Sequence, residues 1–230
     1  VALKLITERE HEIELFNPEE FWTLSINFQD KSKNNLLASI SQLNGKKVEK
    51  FSFKSKKDIE KAILEIKDKK FNITDISSKI VSRNPSGPFT TSTLQQTASS
   101  RLGFGASRTM QIAQKLYQGI EIDGETVGLI TYMRTDGTNL SADAISDFRN
   151  FIKKEYGNEY LPENPNNYSG KKAKNAQEAH EAIRPTDIYR LPETVKKYLS
   201  SDQQKLYNLI WSRALSSQME TAKFDRNTIT

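Results

Sequence analysis

The chain of 230 residues is long enough for one or two domains, and its 11 Phe, 8 Tyr and 2 Trp can form a sizeable core. It has no cysteine and only two histidines, which excludes disulfides, thiolate metal sites and a histidine-rich metal centre. The formal net charge of +5 suits a polyanionic partner, and no apolar run approaches the roughly 18 residues of a membrane span.

The N-terminal third of the chain is predicted to be mainly β with two helices. Residues 1–16 have helical periodicity, and residues 55–70 form an amphipathic helical pattern that Ser55 can cap. The dipeptide Asn44-Gly45 is a type I′ hairpin signal. Alternating or β-rich patterns predict strands over residues 21–29, 35–43, 48–53 and 71–83.

Residues 84–89, NPSGPF, are the strongest linker signal in the chain. Beyond them the pattern is mainly helical, with one β-hairpin over residues 119–133 that turns at Asp123-Gly124. Helices followed by a two-stranded wing are typical of a winged-helix module. The predicted helices cover residues 91–104, 107–119, 141–157, 176–183 and 201–219.

Two of these helices have N-terminal capping signals. Ser141 is the predicted cap of the helix that starts there, and Ser201 with Gln204 is predicted to form the capping box of the last helix. Because the chain opens directly on a helical pattern at Val1 and ends in a strand pattern, we expect it to be the central part of a longer chain.

Tyr132 and Arg134 lie at the end of the second predicted strand of the hairpin, in the stretch VGLITYMRTDGTNLS. Side chains two apart on a strand share a face, so both should point the same way, and Met133 and Thr135 should point the other way. A phenol needs activation to act as a nucleophile, and a guanidinium offers a planar fork to phosphate oxygens. Tyr132 could therefore attack a phosphodiester that Arg134 holds. The alternative is structural, with Tyr132 in the core and Arg134 on a solvated rim.

Further candidates for phosphate contact flank this stretch. Helical spacing in AQEAHEAIR would place Gln177, His180 and Arg184 on one face, where they could hold a phosphate. A solvated helix with incidental charge is the alternative. Thr91 and Thr93 follow the linker, and their hydroxyls could contact phosphate or only cap the helix.

The stretch EIDGE, residues 121–125, has carboxylates at alternate positions and so imitates an acidic magnesium motif. Asp123-Gly124 is a turn signal, however, and the two glutamates then flank a hairpin turn. We predict no metal ligand in this chain.

Four stretches resemble one known family. GLITYMRTDGTNLS resembles the active-site segment of type IA DNA topoisomerases, and PFTTSTLQQTASSRLGFGASRTMQIAQKLY and AQEAHEAIRPTD resemble two further segments in the same order. LITEREHEIELFNPEEFW resembles the segment that precedes them. Met133 favours the bacterial topoisomerase I branch, because the topoisomerase III branch usually has proline between its tyrosine and arginine.

The resemblance implies an ATP-independent isomerase that cleaves one DNA strand through a 5′-phosphotyrosine link, passes a strand and reseals, relaxing negative supercoils. Tyr132 would be the nucleophile, Arg134 would position the scissile phosphate and His180 would contact DNA. Mg²⁺ would be bound in a Toprim domain, which no segment here resembles, so we expect the 230 residues alone to be inactive. The implied partners are single-stranded DNA and the remaining domains of the same chain, and no membrane is implied. The implied location is the cytoplasm, at the nucleoid.

The resemblance also implies an α+β, multidomain fold, in which a β-rich arch domain carries an inserted, helical, winged-helix-like domain with the active-site tyrosine. The expected parts are the end of a helical domain (1–20), the first part of the arch (21–90), the winged-helix-like domain (91–217) and a return strand of the arch (218–230). The alternative function is a non-catalytic winged-helix DNA-binding module. A tyrosine recombinase is disfavoured because Tyr132 lies in mid-chain.

Overall fold

The computed structural model describes residues 1–168 and 181–230. Helices and strands both occur in these residues, so the α+β class is confirmed. The chain divides into two compact units, Val1–Thr74 with Thr230, and Asp75–Ile229. The finer division into an arch and an inserted winged-helix-like domain stays a prediction.

The first unit consists of two helices and two small antiparallel hairpins, in which β1 pairs with β2 and β3 pairs with β4. The elements are α1 (Ala2–Glu14), β1 (Ser25–Gln29), β2 (Asn35–Ser39), β3 (Gln42–Leu43), β4 (Lys46–Lys47) and α2 (Lys56–Ile66). The predicted cap of α2 is confirmed, since the Ser55 side chain accepts from the Asp58 N–H in a reciprocal capping box. A small core of Phe53, Ile59 and Ala62 lies under α2.

The predicted turn at Asn44-Gly45 is confirmed, with positive φ at both residues (51° and 76°). The predicted strand over residues 48–53 is wrong, because β4 already ends at Lys47. The apolar residues of that stretch do not continue a ladder. Phe53 is buried in the small core, and its carbonyl accepts the Trp22 N–H at 2.9 Å.

The second unit begins and ends with an exposed two-stranded ribbon, β5 (Ile76–Arg83) and β8 (Ala222–Ile229), which pair antiparallel along all eight residues of each. Between them lie a helical body and one short hairpin, in which β6 pairs with β7. The elements are α3 (Thr91–Leu102), α4 (Ala106–Gln118), β6 (Ile120–Ile122), β7 (Glu125–Val127), α5 (Ala142–Glu155), α6 (Pro192–Val195) and α7 (Ser201–Ser217), with single 3-10 turns at Asn158–Tyr160 and Lys196–Tyr198.

The core of the second unit forms where α3, α4, α5 and α7 meet the chain segments around residues 130 and 183. Burial of large apolar side chains is the main term that holds such a body together. Fully buried members include Phe89, Leu94, Leu116, Ile130, Met133, Phe148, Ile183, Leu206 and Tyr207. Met133 therefore lies in the core, although its sequence neighbours Tyr132 and Arg134 are both exposed.

Two capping predictions have different outcomes. Ser141 caps α5 as predicted, with its side chain accepting the Ala144 N–H. The capping box at Ser201 and Gln204 is wrong by one residue, because Ser200 is the cap and Gln203 is its partner. Ser200 has the extended backbone of a cap residue (φ −64°, ψ 160°), whereas Ser201 is already helical.

The hairpin turn at Asp123-Gly124 is confirmed, with positive φ at both residues. The hairpin is nevertheless shorter than predicted, because its second strand ends at Val127 rather than at residue 133. After that point the chain leaves the ladder and packs against α4, where the Leu129 N–H donates to the Leu116 carbonyl at 2.8 Å.

Residues 181–183, the last three of the helix predicted over residues 176–183, are not helical. These pair instead with distant parts of the chain, since Glu181 bridges to Asn139 and Ile183 bridges to Phe89. Residues 176–180, with Gln177 and His180, lie outside the described residues. Within the described ranges, no helix has both the length and the apolar character that crossing a bilayer requires.

Candidate active site

The segment that carries Tyr132 and Arg134 is irregular, with bends at Thr131, Met133 and Arg134, and is not part of a strand. It begins at an isolated bridge between Ile130 and Pro185. The predicted alternation is present in it. Tyr132 is 46% exposed and Arg134 is exposed, whereas Met133 and Thr135 are 1% and 7% exposed. The buried residues anchor the segment, and the two candidate catalytic residues point away from the core.

Thr131 holds the N-terminal side of the segment. Its hydroxyl donates to the Ala182 carbonyl at 2.7 Å and accepts the Arg184 N–H at 3.0 Å. Its own N–H donates to the Arg184 carbonyl at 2.9 Å. The extended stretch that follows residue 180 is therefore the backbone partner of Thr131.

Thr91, the first residue of α3, holds the C-terminal side of the segment. Its hydroxyl lies 2.8 Å from the Met133 carbonyl and 3.1 Å from the Thr135 carbonyl, and it accepts the Thr135 N–H at 2.9 Å. The Thr91 N–H also donates to the Thr135 carbonyl at 2.9 Å. The backbone on both sides of Arg134 is thus attached to the start of a helix.

Tyr132 has an aromatic neighbour at the C-terminal end of α4. The rings of Tyr117 and Tyr132 meet edge to face, with centroids 5.3 Å apart and planes at 64°. The close approach of the two chain segments requires glycine at position 128, because a Cβ there would lie 2.7 Å from the Tyr117 carbonyl oxygen. Tyr117 was missed from the sequence, since its separation of 15 residues from Tyr132 matches no local spacing.

Arg134 and Arg184 differ in their partners. Within residues 1–168 and 181–230, the Arg134 guanidinium makes no hydrogen bond or ion pair. The Arg184 side chain is only 14% exposed and forms a two-pronged ion pair with Glu181, at 2.7 and 3.1 Å. Among the described residues, therefore, nothing occupies the Arg134 fork, whereas that of Arg184 is already engaged by Glu181.

Glu181 is held in its charged form by these contacts. Burial acts to raise the pKa of its carboxyl, but hydrogen bonds from Arg184 and from the Ser141 N–H outweigh burial and hold the pKa below its ordinary value. The hydrogen bond from the Ser141 N–H to Glu181, 2.8 Å long, ties the start of α5 to the stretch that Thr131 contacts.

Thr93 uses its hydroxyl within α3. It accepts the Thr90 N–H at 2.9 Å, and the Thr90 hydroxyl in turn accepts the Thr93 N–H, which completes a capping box. Contact with DNA stays a prediction for five residues: Thr91, Thr93, Arg184, Gln177 and His180. Gln177 and His180 lie outside the described part of the chain.

The described residues hold no group of three or more His, Cys, Asp or Glu side chains placed to bind a metal ion. In the stretch EIDGE, Asp123 lies in the hairpin turn and accepts a hydrogen bond from the Tyr198 hydroxyl. The residues described here therefore do not fit the Mg²⁺ that the family resemblance implies for a complete enzyme, and no step is assigned to a metal in this chain.

Comparison with known proteins places this chain in a family. A family model for DNA topoisomerase matches residues 1–230. A protein of Rickettsia felis named DNA topoisomerase 1 is 50% identical over 225 residues, which are 98% of this chain and 29% of the relative. The corresponding protein of Haemophilus influenzae is 45% identical and is matched over 100% of this chain and 25% of its own length.

A solved structure, that of full-length topoisomerase I from Thermotoga maritima, is 37% identical with a TM-score of 0.76, covering 99% of this chain and 34% of that one. The chain thus spans about a third or less of the length of each of these relatives. The match to the family model and to the relatives extends over essentially the whole of the chain. This chain therefore belongs to the bacterial type IA DNA topoisomerase family.

Proposed function

We propose that this chain carries the nucleophile of an enzyme that cleaves and reseals one strand of DNA. The observation that carries the proposal is that an exposed phenol, Tyr132, and an exposed guanidinium, Arg134, which has no partner among the described residues, lie on one segment. Thr131 and Thr91 hold this segment on its two sides. A tyrosine that served only the core would be buried, as Tyr207 is.

In the proposed reaction the Tyr132 hydroxyl gives up its proton to solvent, and its oxygen attacks the phosphorus of a phosphodiester and forms a new P–O bond. The bond from phosphorus to the 3′ oxygen breaks, and that oxygen leaves as a 3′-hydroxyl after taking up a proton. The phosphate remains esterified to Tyr132 through the 5′ side of the break. Because one ester replaces another, attack by the 3′-hydroxyl reverses the step and reseals the strand without ATP.

Arg134 would supply charge to the same phosphate. Its planar fork can donate two hydrogen bonds to phosphate oxygens, and no carboxylate among the described residues competes for it. Fixed donors aimed at developing charge lower the barrier more than flexible ones, because they need no reorganisation during the reaction. The hydrogen bonds that hold the backbone around Arg134 would provide this fixed geometry.

For the complete protein, we propose passage of a strand through the break and relaxation of negative supercoils. The support is the family match and the relatives named DNA topoisomerase 1. Single-stranded DNA is the proposed substrate, with contacts from Gln177, His180 and Arg184 added to those of the active site. Mg²⁺ and the domain that binds it would belong to the rest of the protein. The complete protein would act in the cytoplasm, at the nucleoid. The rival function, a non-catalytic DNA-binding module, requires no exposed tyrosine.

Covalent trapping tests the proposal. The full-length protein is incubated with a single-stranded oligonucleotide labelled at its 3′ end, denatured, digested and mapped by mass spectrometry. We expect the label to stay with the peptide that contains Tyr132, because the 5′ phosphate of the 3′ fragment is the esterified one. An adduct on a different residue, or binding with no adduct, would contradict the proposed function.

A further inference from the structure

The Thr91 hydroxyl has partners that helix capping does not explain. Capping of α3 is carried out by Thr90, which exchanges hydrogen bonds with Thr93. The hydroxyl of Thr91 instead reaches across to residues 42 and 44 positions further along the chain, Met133 and Thr135. Within the described residues, all of its hydrogen bonds are with the backbone on both sides of Arg134.

The hydrogen-bonding capacity of this hydroxyl decides between two roles. A threonine hydroxyl has a single proton to donate. Here that proton faces the carbonyls of Met133 and Thr135, at 2.8 and 3.1 Å, and a lone pair accepts the Thr135 N–H. A phosphate diester offers only acceptors, so Thr91 has no proton left for it.

We infer that Thr91 is a positioning residue for the cleavage reaction, which acts by fixing the backbone around Arg134 rather than by touching DNA. The inference rests on the proposed function of Tyr132 and Arg134. It also assigns Thr91 a role other than the phosphate contact that the sequence suggested. The Arg134 side chain has no hydrogen bond within the described residues, so among these residues its backbone is what sets its direction.

Loss of the hydroxyl should shift this segment without releasing it. The Met133 carbonyl and the Thr135 N–H would lose a partner, while the bond from the Thr91 N–H to the Thr135 carbonyl would remain. Misplacement of a catalytic group by about 1 Å can cost on the order of a hundredfold in rate. The rate of bond cleavage is therefore expected to fall more than the affinity for DNA.

The experiment compares Thr91→Val, which keeps the shape and removes the hydroxyl, with Thr91→Ser, which keeps the hydroxyl. Ser200→Ala is the matched control, because it removes a capping hydroxyl from α7 in the same unit. For each variant of the full-length protein, the single-turnover cleavage rate at saturating oligonucleotide, the Kd and the Tm are measured, at a temperature where circular dichroism shows all variants folded.

We expect Thr91→Val to cleave at least about tenfold more slowly with an unchanged Kd, and Thr91→Ser to recover most of the rate. Ser200→Ala should lower the Tm and leave the rate unchanged. A normal rate for Thr91→Val would overturn the inference, as would a weakened Kd with a normal rate at saturation, which indicates direct contact with DNA. If Ser200→Ala slowed cleavage as much as Thr91→Val, the inference would also fail, since general destabilisation would then explain the slower cleavage by both variants.

Tyr132→Phe, assayed in parallel, separates the two proposals. If this variant still cleaves, the proposed function itself fails. If it is inert while Thr91→Val cleaves normally, only the positioning role fails.

Discussion

The Tyr132 ring packs edge to face on the Tyr117 ring, with the centroids 5.3 Å apart. The first residue belongs to the candidate active-site segment and the second to the last turn of α4. The contact limits the rotation of the Tyr132 ring, although nearly half of that side chain is open to solvent. The orientation of the phenol therefore depends on α4, which is separated from Tyr132 in the chain by the β6–β7 hairpin.

Tyr117→Ala should reduce both stability and cleavage. An aromatic pair of this geometry contributes about 1 kcal/mol beyond the area it buries, and its loss frees the Tyr132 ring. Tyr117→Phe keeps the ring and should resemble the wild type in both respects. Chemical denaturation and single-turnover cleavage are the measurements. A Phe variant as slow as the Ala variant would show that the Tyr117 hydroxyl, and not its ring, is what matters.

Tyr132→Phe should abolish covalent attachment to DNA and relaxation by the full-length protein, because it removes the attacking oxygen and keeps the ring. Oligonucleotide binding and Tm should stay close to those of the wild type. Tyr156→Phe is the matched control, since Tyr156 has nearly the same exposure, 44%. Relaxation of supercoiled DNA by the Tyr132→Phe variant would show that the nucleophile is another residue.

Arg134→Lys should reduce cleavage and leave folding intact. Lysine keeps the charge but loses the fork, and an exposed side chain without partners in the described residues contributes little to stability. Cleavage of an oligonucleotide and thermal unfolding are measured together. Unchanged cleavage would mean that a point charge suffices, whereas loss of folding would support a structural role for Arg134.

Glu181→Gln should destabilise the protein in a pH-dependent way. Because the pKa of Glu181 is below its ordinary value of 4.5 in the folded state, its contribution is fully present above that pH and is lost as the pH falls through the folded-state pKa. The Tm difference between wild type and variant should be largest at neutral pH and should shrink in acid. Glu193→Gln is the control, since Glu193 forms only an exposed, 3.9 Å ion pair. A Tm difference for Glu181→Gln that is constant with pH would argue against this account.

The 230 residues alone should bind single-stranded DNA weakly and should not relax supercoiled DNA when Mg²⁺ is added. Their charge of +5 favours a polyanion, and such binding weakens with salt because counterions are released. The described residues hold no acidic cluster for a metal. A salt titration of oligonucleotide binding tests the expected weak binding, and a gel relaxation assay tests the expected absence of relaxation. Relaxation by the chain alone would mean that it contains a further catalytic site, for which the carboxylates of residues 121–125 are the first candidates.

Local features of this protein followed from the sequence. The turns at Asn44-Gly45 and Asp123-Gly124 and the caps at Ser55 and Ser141 all depend on residues within four positions of each other. The motif around Tyr132 and three further stretches also predicted the family, which the family model confirms.

Only the tertiary structure decided how the candidate site is held. The helix expected up to residue 183 is replaced in its last residues by bridges to Phe89 and Asn139, and the strand expected up to residue 133 ends at Val127. In both cases helical or strand periodicity was overruled by partners elsewhere in the chain, such as Phe89 for Ile183 and Ala182 for Thr131. Periodicity reports which face of an element is apolar, but the distant backbone groups that satisfy its hydrogen bonds are set by packing.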